Sequence, residues 1–284
     1  MPELPEVEIL KRDLQKVLPG KMIEKVKIID FAKKIEPKNL SSKLKGKKIK
    51  KVWRRQKMII FDLDDNNYLV THLKMTGQYV FAPKTGKLIF GGHGVPGVEK
   101  VPNKFTHAIF YLKNDGILYF SDLRKFGWIK LIDRKDLEQV FEKFGIEPLT
   151  GEFTLKYFRS LLAKYPKKHI KLILLDQSKI AGLGNIYAAE ILFASKVRPD
   201  RAAGMLSDKE AKSIFNNIKR ILADSIKNRS TAENTYPNSK KVGGYTKKLK
   251  VYRREGEKCM RCNAELKRMK NGGRSTVYCP ICQK

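Results

Sequence analysis

The amino-acid sequence predicts an α+β protein with a strand-rich first half behind a single helix, a helical second half and a short cysteine module. Three observations lead to this prediction. Apolar and polar residues alternate in the manner of strands from residue 22 to residue 130. After Asp133 the apolar period becomes that of helices. All four cysteines of the 284-residue chain lie in its last 26 residues.

These changes of pattern set the expected domain boundaries. We assign 1–132 to a β-sandwich with a helix at its start, 133–150 to a hinge or linker, 151–244 to a helical domain and 245–284 to a four-cysteine zinc module. A sandwich or flattened barrel is expected because many short strands separated by turn residues are typical of these architectures.

The strand-rich part begins with a predicted helix over residues 5–19, with Pro5 at its first position and Gly20 after its end. The apolar stripe of this helix consists of Val7, Leu10, Leu14, Val17 and Leu18. The strand candidates are Ile23–Ile29, Ile49–Trp53, Met58–Leu63, Tyr68–Leu73, His107–Leu112, Ile117–Asp122 and Trp128–Ile132. Glycines and prolines between Val80 and Phe105 predict a long loop there.

Helical periodicity defines the second half. The predicted helices are Lys135–Phe144, Thr154–Lys164, His169–Asp176, Ile186–Ser195 and Ser207–Lys227. The last helix should begin with a capping box, because Ser207 precedes its apolar period and Glu210 follows three residues later.

The charge balance indicates a polyanionic partner. The chain has 60 Lys and Arg against 29 Asp and Glu, which gives a formal net charge of +31. Such an excess repels itself in a compact protein unless a polyanion neutralises it, and nucleic acid is the usual one. A membrane surface is the alternative, but we find no strongly apolar basic helix and no apolar run near the ~20 residues that span a bilayer. The N-terminus is unlike a signal peptide, so we expect a cytoplasmic protein.

The cysteine module has the spacing of a zinc site. Cys259 and Cys262 form one C-x2-C pair, and Cys279 and Cys282 form a second pair after sixteen intervening residues. Four thiolates fill the tetrahedral coordination of Zn²⁺ and leave no position for a catalytic water. We therefore expect one structural zinc ion, with four buried or redox-active thiols as the alternative. Arg274 follows a double glycine at an expected hairpin tip and is a candidate for contact with DNA.

The N-terminal residues favour covalent chemistry. Removal of Met1, which a small second residue favours, would leave Pro2 as a secondary amine near Glu3 and Glu6. An α-amino group titrates near ~7.7–8, so a useful fraction is a neutral nucleophile at cytoplasmic pH. A secondary amine that attacks a sugar carbon gives a charged iminium, as in Schiff-base catalysis. Pro2 by itself would equally fit a protein that merely starts with Met-Pro.

In combination, the motifs resemble those of the bacterial formamidopyrimidine-DNA glycosylases over essentially the whole chain. They are Pro2-Glu3-Leu4-Pro5-Glu6-Val7-Glu8, Lys57, His72-Leu-Lys-Met75-Thr-Gly77, Asp122-Leu-Arg124-Lys-Phe126-Gly127, Gly182-Leu-Gly184-Asn185-Ile-Tyr187 and the four cysteines. The resemblance implies a β-sandwich joined by a hinge to a helix-two-turn-helix DNA-binding domain, and a monomer that acts on damaged double-stranded DNA. It also implies a bifunctional DNA glycosylase and AP lyase of base excision repair, which removes oxidised purines such as 8-oxoguanine and formamidopyrimidines and accompanies the bacterial nucleoid.

The resemblance implies roles for four catalytic residues. Pro2 attacks the deoxyribose carbon, Glu3 moves protons and Glu6 positions Pro2 through hydrogen bonds. Lys57 lies near the base or its phosphate as a proton donor, and β- and δ-elimination follow. From the residues alone, Lys57 could equally be a charge at a strand end, and Glu6 and Glu8 could be ordinary acids of a first helical turn.

The resemblance also implies DNA contacts. The residues expected to fill the space of the flipped nucleotide are Met75, Arg124 and Phe126. Those expected to contact phosphates are His72, Lys171 and Asn185. From the residues alone, Met75 and Phe126 could be core residues, Arg124 could form a surface ion pair and Asn185 could be a helix N-cap. The segment from Ser230 to Tyr245 corresponds to the family's loop over the flipped base.

Two departures from the family pattern concern the choice of lesion. The segment between Gly77 and His107 is longer than usual, and Leu123 stands where proline or alanine is common. One alternative function is a glycosylase for oxidised pyrimidines, against which Leu4 and the Arg124-x-Phe126 element argue. The other is a non-catalytic zinc-finger DNA-binding protein, against which the intact Pro2, Glu3 and Lys57 argue.

Overall fold

The computed structural model describes residues 1–29, 34–92, 100–231 and 244–284. It confirms the α+β class, with strands in the first half, helices in the second and a hairpin in the cysteine module. Contacts divide the chain into two compact units, one of residues 1–142 with 228–246 and one of residues 143–227 with 247–284. The described residues of 228–244, which the sequence analysis assigns to the helical domain, and residues 245 and 246, which it assigns to the cysteine module, therefore group with the first unit.

Among its described residues, the first unit has two five-stranded sheets and three helices. The helices are α1 (Leu4–Val17), α2 (Leu40–Leu44) and α3 (Arg134–Glu142). The strands are β1 (Ile23–Ile28), β2 (Ile35–Glu36), β3 (Ile49–Arg55), β4 (Met58–Leu63), β5 (Tyr68–His72), β6 (Gly77–Pro83), β7 (Ile89–Gly92), β8 (Thr106–Leu112), β9 (Gly116–Asp122) and β10 (Trp128–Ile132). The strand orders are β1-β8-β9-β6-β7 and β2-β10-β5-β4-β3.

The two sheets pack through a shared apolar core, which confirms the sandwich. Phe61 of β4 contacts Tyr79 of β6 edge to face, with ring centroids 5.4 Å apart, and Tyr79 contacts Phe120 on the neighbouring strand β9. Side chains of α1, among them Leu10 and Leu14, belong to the same core. The helix that opens the chain is thus held by both sheets.

The expected loop between Val80 and Phe105 is wrong for part of its described residues, which form strands. Residues Gly77–Pro83 and Ile89–Gly92 form the antiparallel pair β6–β7. A glycine in β7 has a packing reason, because a Cβ on Gly91 would lie 3.1 Å from Cδ1 of Leu10 on α1. Residues 93–99 of the expected loop lie outside the described residues.

The second unit contains the remaining predicted helices and the cysteine module. Its helices are α4 (Leu155–Lys164), α5 (Ile170–Leu175), α6 (Asn185–Ala194) and α7 (Asp208–Lys227), and its hairpin strands are β11 (Lys267–Asn271) and β12 (Arg274–Tyr278). The capping box of α7 is confirmed, since the Ser207 N–H donates to Glu210 and the Glu210 N–H donates to the Ser207 hydroxyl. None of the helices in the described part of the chain combines the length and the apolar character that crossing a bilayer requires.

Candidate active site and nucleic-acid interface

The N-terminus of α1 holds two buried acids. Glu3 is the N-cap of the helix and is 1% exposed, and Glu6 is 4% exposed. The Glu6 carboxylate accepts a hydrogen bond from the Glu3 N–H at 2.9 Å through Oε2. Glu6 therefore fixes the backbone next to Pro2, which is itself buried. This hydrogen bond is one half of the capping box at the start of α1, in which the Glu3 side chain also accepts the backbone N–H of Glu6.

Lys57 lies in the two-residue turn between β3 and β4, where Arg55 pairs with Met58. Gln56 precedes it with a φ of +57°, and its side chain accepts the Lys57 N–H at 2.9 Å. Arg54 donates both to the Gln56 carbonyl and to Glu8 of α1. The buried Glu8 thus links helix α1 to the turn that carries Lys57, a role that its sequence position did not indicate.

His72 ends β5 and lies across from Met58 on β4 and Trp128 on β10. Burial, and then the ammonium groups of Lys74 and Lys57, lower the pKa of His72 to about 3. The ring is therefore neutral at neutral pH. Its Nδ1 accepts the Lys74 N–H at 2.9 Å, which places the remaining ring proton on Nε2. In this tautomer His72 can donate a hydrogen bond, as a phosphate contact requires.

The buried carboxylate of Asp122 organises the turn that follows β9. Its Oδ1 accepts hydrogen bonds from the Thr76 hydroxyl and the Arg124 N–H, and its Oδ2 accepts the Gly127 N–H at 2.7 Å. The Arg124 N–H also donates to the Thr76 hydroxyl at 2.9 Å. One carboxylate therefore joins the turn after Met75 to the turn that carries Arg124.

The turn held by Asp122 presents an exposed cation on an exposed ring. The Arg124 guanidinium lies 4.6 Å from the centroid of the Phe126 ring, and Phe126 is 48% exposed. Leu123 beside them is 45% exposed, and Met75 is half-buried. The sequence left open a core position for Phe126 and a surface ion pair for Arg124. In the structure Phe126 lies outside the core, and Arg124 forms no ion pair with any described residue.

In the second unit, two predicted phosphate ligands converge on the ribbon hairpin. The Asn185 amide donates to the Ser275 carbonyl at 3.0 Å, and the Lys171 ammonium lies 3.4 Å from the same oxygen. The N-cap of α6 is Gly184, so Asn185 is not the cap. Lys171 is fully buried, and its expected phosphate contact stays a prediction.

Arg274 follows the tight turn at the tip of the hairpin. Asn271 pairs with Arg274, so Gly272 and Gly273 form a two-residue turn, and both have positive φ (+58° and +76°). Two glycines with positive φ are typical of the turns that connect short hairpins. The exposed Arg274 side chain makes no hydrogen bond or ion pair with any part of the chain that the structure describes. Its guanidinium is available to an external anion.

The four cysteines form a site that fits a tetrahedral metal ion. Their Sγ atoms all lie within 4.8 Å of one another, with Cys259 and Cys282 at 3.9 Å and Cys262 and Cys279 at 3.5 Å. Zn–S bonds of ≈ 2.3 Å in a tetrahedron place the sulfurs about 3.8 Å apart. The N–H of Cys282 donates to Cys279 Sγ at 3.3 Å, as expected for a sulfur that carries negative charge. The site can hold a metal ion through four thiolates.

Several residues of this arrangement were not found by sequence reasoning. Asp122 and Thr76 belonged to recognised motifs but had no assigned role, and Glu190 carried no signal. The buried Glu190 accepts N–H groups of Lys250, Val251 and Tyr252, each at 2.9 Å, and so ties the segment before the cysteines to α6. An acceptor and its donors that lie this far apart in sequence leave no local pattern.

Comparisons with known proteins agree with this geometry. Residues 1–129 match the formamidopyrimidine-DNA glycosylase N-terminal domain, residues 144–236 match its H2TH domain, and residues 256–284 match a zinc finger found in FPG and IleRS. The formamidopyrimidine-DNA glycosylases of Listeria monocytogenes and Carboxydothermus hydrogenoformans are 40% and 39% identical, and each alignment covers both chains completely.

Solved structures give the same result. A Lactococcus lactis FPG mutant in complex with Fapy-dG-containing DNA has a TM-score of 0.87 and 35% identity, with both chains fully covered. The Lactococcus lactis Fpg in complex with abasic-site DNA has a TM-score of 0.86 and 34% identity, with 99% of each chain covered. The chain belongs to the formamidopyrimidine-DNA glycosylase family.

Proposed function

We propose that this DNA glycosylase excises oxidised purines from duplex DNA through the Pro2 amine and then cleaves the strand by β- and δ-elimination. The observation that carries the proposal is the hydrogen bond from the Glu3 N–H to the buried Glu6 carboxylate, because it fixes the backbone beside Pro2. The substrate class is supported by the Lactococcus lactis relative, which was solved with Fapy-dG-containing DNA.

The chemistry needs a nucleotide outside the duplex, because the sugar carbon of a stacked base is inaccessible. The exposed Phe126 ring and the Arg124 guanidinium stacked on it are suited to the vacated space. The ring can lie between neighbouring bases, and the guanidinium can donate to the unpaired cytosine. Met75, on the turn that Thr76 ties to Asp122, is proposed as the third side chain of this group.

The neutral amine of processed Pro2 then bonds to C1′, and the bond from C1′ to the base breaks with its electrons leaving on the base. The bonded nitrogen gives up its proton to Glu3, and Glu3 passes a proton to the sugar ring oxygen as the ring opens to the iminium. Glu3 then removes a proton from C2′, and the 3′ phosphate leaves in the β-elimination. The δ-elimination that follows expels the 5′ phosphate. Lys57, held by Gln56 and Arg54, supplies a cation and a proton near the leaving groups.

Phosphate binding is divided between the two units. In the first unit, neutral His72 can donate from Nε2. In the second, Asn185 at the start of α6 and the exposed Arg274 are proposed as ligands. We propose that Lys171 stabilises the Ser275 carbonyl beside Arg274, since its ammonium is buried there. A cluster that neutralises about six phosphates gives a log–log salt slope of binding near −5.

Zinc is the proposed metal, with one ion per chain bound by Cys259, Cys262, Cys279 and Cys282. The ion would shape the hairpin that presents Arg274 and takes no part in bond breaking. We further propose a monomer in the bacterial cytoplasm, close to the nucleoid, because its substrate is chromosomal DNA. The expected domain limits of 1–132, 133–150, 151–244 and 245–284 remain part of this proposal.

Borohydride trapping tests the proposal. The protein is incubated with duplex DNA that contains 8-oxoguanine opposite cytosine, and the adduct is located by mass spectrometry of the N-terminal peptide. We expect one covalent adduct on Pro2. The matched control carries an uncleaved N-terminal peptide, which converts the Pro2 nitrogen to an amide and should abolish trapping. An adduct at another residue, or none from the processed chain, refutes the Pro2 mechanism. Preferred trapping on thymine glycol DNA supports an oxidised-pyrimidine glycosylase, and DNA binding with no trapping supports a non-catalytic protein.

A further inference from the structure

The segment Asn228–Thr231, directly after α7, has an unfavourable backbone. Arg229 and Ser230 are consecutive non-glycine residues with φ of +57° and +60°. Left-handed conformations are unfavourable for an L-residue, so they persist only where surrounding contacts enforce them. The contacts that enforce these backbone conformations are made with other residues of the first unit, including residues of α1.

Two side chains of this segment bond to buried acids of α1. Arg229 forms an ion pair with both carboxylate oxygens of Asp13, which is 7% exposed. Thr231 donates twice to Oε1 of Glu6, from its N–H at 3.1 Å and from its hydroxyl at 2.7 Å. Asp13 and Glu6 are seven residues apart, two helical turns, so both contacts lie on one face of α1.

Glu6 is the point where this segment meets the catalytic N-terminus. Its Oε1 is bound by Thr231, and its Oε2 accepts the N–H of Glu3, the residue after Pro2. A carboxylate is planar, so fixing one oxygen fixes the direction of the other. The hydrogen bond that orients Glu3 therefore depends on Thr231, although 225 residues separate Thr231 from Glu6.

We propose that Arg229 and Thr231 are positioning residues for the reaction, which act through Asp13 and Glu6 to hold the Pro2–Glu3 backbone in its reactive place. We name the four residues Glu6, Asp13, Arg229 and Thr231 the α1 clamp. The proposal rests on the proposed function of Pro2. Arg229 and Thr231 therefore act on the position of the nucleophile itself. This effect is separate from any effect that neighbouring residues have on recognition of the base.

Tyr245 and Thr246 also stabilise the α1 clamp, through hydrogen bonds to the backbone of Ser230 and Thr231. The Tyr245 N–H donates to the Ser230 carbonyl at 3.2 Å, and the Thr246 hydroxyl donates to the Thr231 carbonyl at 3.4 Å. The described ends of the 228–246 segment are thus joined to each other as well as to α1. Residues 232–243, which include most of the expected loop over the flipped base, lie outside the described residues and take no part in the proposal.

The test uses DNA with a preformed abasic site, which has no base to recognise. Single-turnover borohydride trapping on this substrate reports the amine and its geometry, and excision of 8-oxoguanine is measured beside it. Thr231→Val removes the hydroxyl donor and keeps the shape, and hydrogen bonds to charged groups contribute enough for a loss of about tenfold in the trapping rate. Thr231→Ser restores the donor and should trap within about twofold of the wild type.

Arg229→Gly separates positioning from folding. Glycine relieves the positive φ while it removes the ion pair, so the thermal midpoint should stay near that of the wild type. The trapping rate should nevertheless fall by about fivefold. Arg12→Gln is the matched control, because it removes an i,i+4 ion pair with Glu8 on the same helix and should leave trapping unchanged.

Each outcome of these measurements either supports or contradicts the α1 clamp. Equal losses in trapping and excision for Thr231→Val and Arg229→Gly, with Thr231→Ser active, support the α1 clamp. Unchanged trapping in both variants, or a loss confined to 8-oxoguanine excision, overturns it. If the wild-type protein forms no adduct at Pro2, the proposed function is refuted instead. Failure of the proposed function can therefore be distinguished from failure of the α1 clamp.

Discussion

The hydroxyl of Thr76 donates a hydrogen bond to the carboxylate of Asp122, although the two residues are 46 positions apart in the sequence. Through this contact the turn after Met75 and the turn that carries Arg124 become one rigid body. The Arg124 N–H contacts both partners, which fixes the start of the Arg124–Phe126 stack. The side chains proposed to enter the DNA therefore depend on an acid that has no proposed contact with DNA.

Replacement of Asp122 by asparagine should weaken excision more than its small change in shape suggests. The new amide group would face a donor, either the Gly127 N–H or the Thr76 hydroxyl, and an unsatisfied buried donor costs about 1–3 kcal/mol. We expect the rate of 8-oxoguanine excision to fall at least tenfold, measured in single turnover. Asp133→Asn, at the exposed start of α3, is the matched control. An Asp122→Asn enzyme with wild-type excision would contradict the role of Asp122.

The depressed pKa of His72 should appear in the pH dependence of stability. The folded-state pKa is about 3, and the reference value is 6.5, so between these values the unfolded chain binds a proton that the native state does not. The free energy of unfolding should therefore decrease as pH falls below 6.5, by up to about 1.4 kcal/mol per pH unit from this residue. Urea titrations of wild type and His72→Gln at pH 6.5, 5.5 and 4.5 measure it. Parallel pH slopes in the two proteins would disprove it.

Arg274→Gln should reduce the salt dependence of DNA binding. A cation that neutralises one phosphate contributes about one unit to the log–log slope of affinity against salt concentration. Arg268 lies on the same hairpin but pairs with Glu255, so Arg268→Gln should change the slope less. Fluorescence anisotropy with an abasic-site duplex from 50 to 200 mM salt gives both slopes. Equal slopes for the two variants would show that Arg274 is not part of the DNA interface.

Glu190→Gln should loosen the cysteine module. The Glu190 carboxylate accepts three backbone N–H groups, and an amide at this place turns one acceptor into a donor. We expect faster zinc release to a chromogenic chelator, by about tenfold, and weaker DNA binding. Glu257→Gln removes only an exposed pair with Arg254 and should release zinc at the wild-type rate. If both variants release zinc alike, Glu190 does not secure the module.

The sequence predicts elements best where their patterns are local. Met58–Leu63 and Trp128–Ile132 have the predicted bounds, because turn residues flank short runs that are rich in apolar residues. The pair β6–β7 was missed, since glycines that read as loop residues are required where Gly91 lies against Leu10. Strand β2 has two residues and pairs in parallel with β10, which no alternation can reveal.

The candidate site shows the same limit. Pro2 and the four cysteines could be named because their types and spacing imply chemistry, whereas Lys57 was named only through the family resemblance. The contacts that orient them could not, because Glu6 with Thr231 and Glu8 with Arg54 join residues that are distant in sequence. Such pairs depend on the tertiary fold, and a single chain carries no local mark of them.

Helix α1 also has a consequence for solubility. It packs on β3 and β7, each the last strand of its sheet among the described strands, and Gln15 accepts the N–H of Val52 on β3. Open sheet borders invite pairing with other chains. The helix that follows the proposed nucleophile thus shields two aggregation-prone borders, and substitutions that detach it should precipitate the protein as well as inactivate it.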